Sequence, residues 1–120
     1  MDPMGRLSTH VLDTMSGTPA GGVRIELYAL AGDSRRLVAS ATTNADGRTD
    51  RPLLAADELQ SGAYELVFHI GEYFRRKGVD LPAPPFLDTV PVRFGVADAA
   101  AHYHVPLLVS PWAYSTYRGS

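Results

Sequence analysis

The chain of 120 residues contains no cysteine. That absence excludes disulfides, thiolate metal sites and cysteine nucleophiles, while leaving the redox compartment open. Basic runs are almost missing as well. Arg75-Arg76-Lys77 is the only one, and 11 Lys and Arg against 13 Asp and Glu give a formal net charge of -2. A nucleic-acid surface needs a basic stripe, so nucleic acid is not expected as a partner. No apolar run approaches the ~20 residues of a membrane span. Met1-Asp2-Pro3-Met4-Gly5 has neither the charged nor the apolar region of a signal peptide, and Arg118-Gly119-Ser120 is not a Ser-Lys-Leu peroxisomal address. A soluble cytoplasmic protein without membrane contact is the expectation. Hydrolytic triads lack a foothold too, because no Gly-x-Ser-x-Gly elbow occurs.

Helical periodicity is scarce, and what replaces it is alternation. Leu7 to Thr14 reads as a strand with Leu7, Thr9 and Val11 on one face and Ser8, His10 and Leu12 on the other. Ser16 to Gly22 carries Gly and Pro and reads as a loop. Val23 to Leu30 and Arg36 to Thr43 are further strands. Asn44-Ala45-Asp46-Gly47 is a turn signal, since Asn and Asp bond back to the backbone and Gly tolerates positive φ. A short extended piece to Leu53 follows, then a helical turn over Ala55 to Leu59. In Ala63 to Ile70 the residues Tyr64, Leu66, Phe68 and Ile70 form a core face, with Glu65 and His69 outside.

Glu72 to Lys77 is the one helix the sequence supports. Leu81 to Pro85 holds three prolines and is a loop. Val90 to Val96 alternates again. His102 to Ser120 reads as two strands hinged at Ser110-Pro111, with Trp112, Tyr114 and Tyr117 packing an end that is ordinarily frayed. Seven or eight short strands, one short helix and no linker predict an all-β domain over 1–120, a sandwich of two sheets. A chain of this size can bury about two-thirds of its unfolded surface.

Four histidines are the candidates for chemistry. His69 is assigned to the surface. His102 and His104 project from one strand face, a spacing that zinc sites use. No acidic or further histidine ligand lies at a matching distance, so no metal is assigned. His10 stands mid-strand, and Arg48 directly follows the turn at Asn44 to Gly47. On these grounds alone the chain is a β-sandwich with a possible histidine site.

Three segments together resemble a known family. They are Leu7-Ser8-Thr9-His10-Val11-Leu12-Asp13-Thr14 with the Gly17-Thr18-Pro19-Ala20 loop, then Thr43-Asn44-Ala45-Asp46-Gly47-Arg48, then Tyr103-His104-Val105-Pro106-Leu107-Leu108 continuing to Tyr117-Arg118-Gly119-Ser120. The similarity runs in order along nearly the whole chain and is to the 5-hydroxyisourate hydrolase family, the transthyretin-related enzymes of urate and purine breakdown. Transthyretin itself, a hormone carrier, lacks counterparts of His10, Arg48, His104 and the Tyr-Arg-Gly-Ser ending. All four are present here.

The resemblance implies a transthyretin-like β-sandwich of two roughly four-stranded sheets with a short helix after the fifth strand. It implies a homotetramer, a dimer of dimers with sites at the dimer–dimer interface. The implied reaction is hydrolytic opening of the six-membered ring of 5-hydroxyisourate at an amide-type C–N bond, giving 2-oxo-4-hydroxy-4-carboxy-5-ureidoimidazoline. His10, Arg48 and His104 are the implied catalytic residues, and Tyr117, Arg118, Gly119 and Ser120 the substrate-binding wall. His102 supports them at most, and no metal or organic cofactor is implied. Histidine suits proton transfer from water near neutral pH, and an arginine fork suits a carbonyl or imide edge. The sequence leaves open which histidine takes the proton. The rival readings are a non-catalytic ligand carrier and an immunoglobulin-like accessory module.

Overall fold

In the computed structural model, which describes residues 5–119, strands β1 (Arg6–Asp13) and β7 (His102–Val109) lie side by side and parallel. A two-residue strand β2 (Thr18–Pro19) flanks β1, and β8 (Tyr114–Thr116) flanks β7. The second sheet runs in the order β4 (Ser34–Thr42), β3 (Arg24–Ala31), β5 (Gly62–His69), β6 (Thr89–Val96). The sequence-based expectation of two roughly four-stranded sheets holds. Helix α1 (Ile70–Arg76) follows β5, and no helix of the described residues is long and apolar enough to cross a membrane.

Alternation explains the layers. In β1, Leu7, Val11 and the neutral side of Thr9 enter the core, and in β3, Ile25 and Leu27 meet them from the other sheet. Phe68, Leu66 and Val90 close the centre, each with no exposed area. Burying a side chain of this size is worth about 1.5–3 kcal/mol, so the inter-sheet layer dominates stability. The outer face of the β1–β7 sheet is left to Ser8, His10, Leu12, His104 and Leu108, all half-buried.

Three details differ from the sequence reading. The Ser16–Gly22 loop includes the short strand β2, because Pro19 and Thr18 pair with Leu12 and Asp13 at the sheet edge. Ile70 opens α1 instead of ending β5, yet remains buried. Glu65 and His69 lie on the outer face as expected, but neither is a free surface group. Glu65 is buried between Arg93 Nε at 2.8 Å and Arg35 at 3.4 Å, as a carboxylate out of water must be paired. His69 bonds Glu26 at 3.0 Å and Arg24 at 3.2 Å.

One buried polar cluster ties α1 to β1. The Asp13 carboxylate accepts from the Tyr73 hydroxyl at 2.8 Å and from the Ser16 amide at 3.0 Å, with Lys77 3.6 Å away. Burial alone would raise the Asp13 pKa; the Ser16 amide, the Tyr73 hydroxyl and Lys77 outweigh it and hold it below the ordinary value. Tyr73→Phe is expected to cost about 1–3 kcal/mol, since a buried carboxylate loses a donor. Urea unfolding at pH 7 checks this, and an unchanged midpoint would remove the cluster as a support of the fold.

Candidate active site

The outer face of the β1–β7 sheet gathers residues from opposite ends of the sequence. The parallel register sets Ser8 opposite His104 and His10 opposite Pro106. Both histidines therefore rise from the same face, with Ser8 on β1 two residues before His10 and directly across from His104. This juxtaposition follows from the fold, since 94 residues separate His10 from His104 in the chain and only the β1–β7 pairing joins them.

Arg48 arrives by a different route. The Asn44 side-chain oxygen accepts from the amides of Asp46 (2.9 Å) and Arg48 (3.2 Å), and the Asn44 amide donates to the Arg48 carbonyl at 2.7 Å. These bonds close a tight turn whose tip is Gly47, with φ of 74°. The turn is laid directly on β1, because the Val11 amide donates to the Gly47 carbonyl at 2.8 Å. A Cβ at position 47 would stand 2.4 Å from the Val11 carbonyl oxygen, so glycine is required both for the conformation and for the approach. The residue after this glycine is thereby delivered next to His10.

The same turn fixes the state of His10. Its Nε2 lies 2.9 Å from the Asp46 carbonyl oxygen. A carbonyl can only accept, so Nε2 carries the hydrogen, and neutral His10 holds its lone pair on Nδ1. Arg48 itself makes no ion pair among the described residues. Its exposed guanidinium is a donor fork with no side-chain acceptor among the described residues, next to a cleft of about 230 Å³ that Arg6, Ser8, Thr49 and Arg51 also line.

His104 is the most constrained member. Its Nδ1 lies 2.8 Å from the Ser8 hydroxyl. The backbone of Gly119 pairs with it, the Gly119 amide donating to the His104 carbonyl at 2.7 Å. A Cβ on Gly119 would meet the imidazole Cδ2 at 2.7 Å, so the tail presses against the ring and only glycine fits. Partial burial lowers the His104 pKa from its ordinary 6.5, and the positive charges of Arg48 and His10 push it the same way. Arg48 shares its cleft with Ser8, the residue whose hydroxyl bonds the His104 ring. A neutral imidazole beside a guanidinium can take a proton from water while the cation stabilises the charge left on the attacked group.

The tail divides in its roles. Gly119 belongs to this cluster. Arg118 is turned to the other side of the strand, its guanidinium 4.2 Å over the Tyr103 ring and bonded to the His102 carbonyl at 3.1 Å. Tyr103 is a core residue, so Arg118 clamps the tail onto β7 and does not point at the histidines in this chain. Tyr117, 60% exposed, lines an apolar groove of about 200 Å³ between β6 and β8. Ser120 lies outside the described residues. His102 lies beyond His104 on β7 and is exposed. Among the described residues no three His, Asp or Glu converge as a metal site. Sequence reasoning missed Ser8 and the Asp46 carbonyl; the one available signal was that Ser8 shares a strand face with His10 at the i, i+2 spacing.

The model of the transthyretin family, described as the HIUase/Transthyretin family, matches residues 7–119. The 5-hydroxyisourate hydrolase 2 of Rhizobium meliloti (strain 1021) is 60% identical over 120 residues, covering all of both chains. The crystal structure of (S)-allantoin synthase superposes with a TM-score of 0.93 at 50% identity, matching 99% of this chain and 45% of that one, so this chain spans less than half of that protein. The structure of Klebsiella pneumoniae 5-hydroxyisourate hydrolase gives a TM-score of 0.80 at 35% identity over 98% of this chain and 100% of its own.

Proposed function

Because the chain belongs to the HIUase/Transthyretin family, we propose that it hydrolyses 5-hydroxyisourate, with His10, Arg48 and His104 carrying the reaction. The observation that carries this reading is the convergence of two histidines on one open sheet face, with Arg48 beside them in the cleft that Ser8 also lines. A non-catalytic carrier has no need of such a group, and its channel would gain nothing from three polar side chains that must be desolvated on binding an apolar ligand.

The chemistry is an addition followed by an elimination. Water attacks the ring carbonyl carbon, and a histidine nitrogen takes one of its protons as the C–O bond forms. The carbonyl oxygen becomes an oxyanion, to which Arg48 donates in its planar fork. The C–N bond then breaks, the ring nitrogen leaves with the proton returned by the histidine, and the carbon becomes a carboxylic acid. The product is 2-oxo-4-hydroxy-4-carboxy-5-ureidoimidazoline. Gly119, packed against the His104 ring, makes the wall on that side of the substrate. No cofactor takes part in this scheme.

A homotetramer built as a dimer of dimers, working in the cytoplasm as one domain, completes the proposal. Support for association comes from the exposed aromatic surface on and beside the edge strand β8. Trp112, Tyr114 and Tyr117 are 59%, 44% and 60% exposed, a large apolar display for an isolated chain. The purified protein is expected to accelerate the decay of 5-hydroxyisourate generated in situ from urate, seen as faster loss of its ultraviolet absorbance. A decay equal to that in buffer would overturn the assignment.

A further inference from the structure

We infer that Ser8 is a positioning residue that holds His104 with its hydrogen on Nδ1, so that Nε2 is the nitrogen that receives the proton of the attacking water. The inference rests on the hydrolase reading above and assigns the proton transfer within it to one atom. Ser8 and His104 are directly opposed across the parallel β1–β7 pair, and the Ser8 hydroxyl is 2.8 Å from Nδ1. A hydroxyl can accept as well as donate. If it donates, Nε2 must carry the hydrogen of the neutral ring and no lone pair is free for chemistry. If it accepts Nδ1–H, the lone pair sits on Nε2. The accepting arrangement alone survives the reaction cycle, because Nδ1–H remains the donor when Nε2 becomes protonated.

The rest of the site removes the alternatives. Nδ1 is closed off by Ser8, and the Cδ2 edge of the ring is backed by Gly119. His10 has its Nε2 committed to the Asp46 carbonyl. The charged groups around the His104 face are Arg6 and His10 on β1, Arg48, Asp50 and Arg51 on the segment after β4, and His102 on β7. Asp50, the one carboxylate among them, accepts from the Asn44 side chain and is not bonded to His104, so among the described residues Ser8 is the partner of Nδ1. The base is thus seated by a neutral hydroxyl. A carboxylate in that place would hold the proton on the imidazole, whereas a neutral acceptor orients the ring without raising its affinity for protons by a full charge.

Ser8→Ala tests this, with Ser8→Thr as the variant that restores the hydroxyl on a strand-compatible side chain. Ser8→Ala is expected to lower kcat about tenfold with KM within about twofold, the size of one lost hydrogen bond acting on the transition state. The acid limb of its kcat–pH profile should move to lower pH, because the imidazolium loses its acceptor. Ser8→Thr should recover both. In the wild-type protein labelled with nitrogen-15 histidine and kept substrate-free, the His104 signals should report a protonated Nδ1 and a bare Nε2, and Ser8→Ala should show mixed tautomers. A wild-type His104 with its hydrogen on Nε2 overturns the inference, as does Ser8→Ala with unchanged kcat and unchanged acid limb. A fall in kcat accompanied by a fall in melting temperature that Ser8→Thr does not rescue assigns Ser8 a structural role instead. If the wild-type protein does not hydrolyse 5-hydroxyisourate, the functional reading fails, while the nitrogen signals still decide the tautomer.

Discussion

Arg48→Ala is expected to lower turnover of 5-hydroxyisourate by about 10²–10³-fold, the cost of removing one donor from a developing oxyanion. The loss should appear in kcat and in kcat/KM together, as it does when an interaction exists only in the transition state. Arg48→Lys should recover little. An ammonium supplies a point charge without the planar fork, and the turn from Asn44 to Gly47 leaves the arginine no freedom to be replaced by a shorter reach. Folding should be unaffected, because the side chain is exposed and makes no ion pair among the described residues. Steady-state kinetics of the two variants decide the matter: wild-type turnover in Arg48→Ala would take the residue out of the site.

The two-sheet architecture was legible because its periodicities are local. The alternation in Val23 to Leu30 and in Val90 to Val96 needs no knowledge of the partner strands, and the helix over Glu72 to Lys77 appears within one residue of α1 at its C-terminal end. The turn at Asn44 to Gly47 was legible for the same reason, since its bonds are closed by its own side chains. By contrast, nothing within a few residues of His69 foretells that Glu26, 43 positions earlier, will meet it. Glu65 reads as an ordinary outward carboxylate until β4 and β6 bring Arg35 and Arg93 over it.

The candidate site divides along the same line. From its own neighbourhood His10 is only a mid-strand histidine and Arg48 only the residue after a turn, because each acquires meaning through a contact between distant segments. The resemblance to the hydrolase family joined them, and the geometry supplies the means: the Val11 amide on the Gly47 carbonyl, and the parallel pairing of β1 with β7. The resemblance said nothing about the different parts played within the tail. Gly119 is pressed against the His104 ring while its neighbour Arg118 reaches across the strand to Tyr103, a distinction that alternation of side chains imposes and a motif conceals.

His104→Ala is expected to cost about 10²–10⁴ in kcat, the usual contribution of a positioned general base. The pH profile makes the prediction specific. His104 works in its neutral form, and partial burial, with the charges of Arg48 and His10, places its pKa below 6.5. The active form is therefore the majority at pH 6.5 and fills as the pH rises, so kcat should be level near neutral pH and reach its half-maximum below pH 6.5. Arg48→Ala removes one of the two cations that oppose protonation, so whatever activity that variant retains should begin to fall at a higher pH than the wild type does. His104→Ala should lose this limb altogether, its residual rate no longer following the titration of that ring. A wild-type profile whose acid limb lies above pH 6.5 would contradict the assignment of His104 as the base. His10, whose Nε2 is committed to the Asp46 carbonyl and whose Nδ1 is left for chemistry, would be the residue to test next.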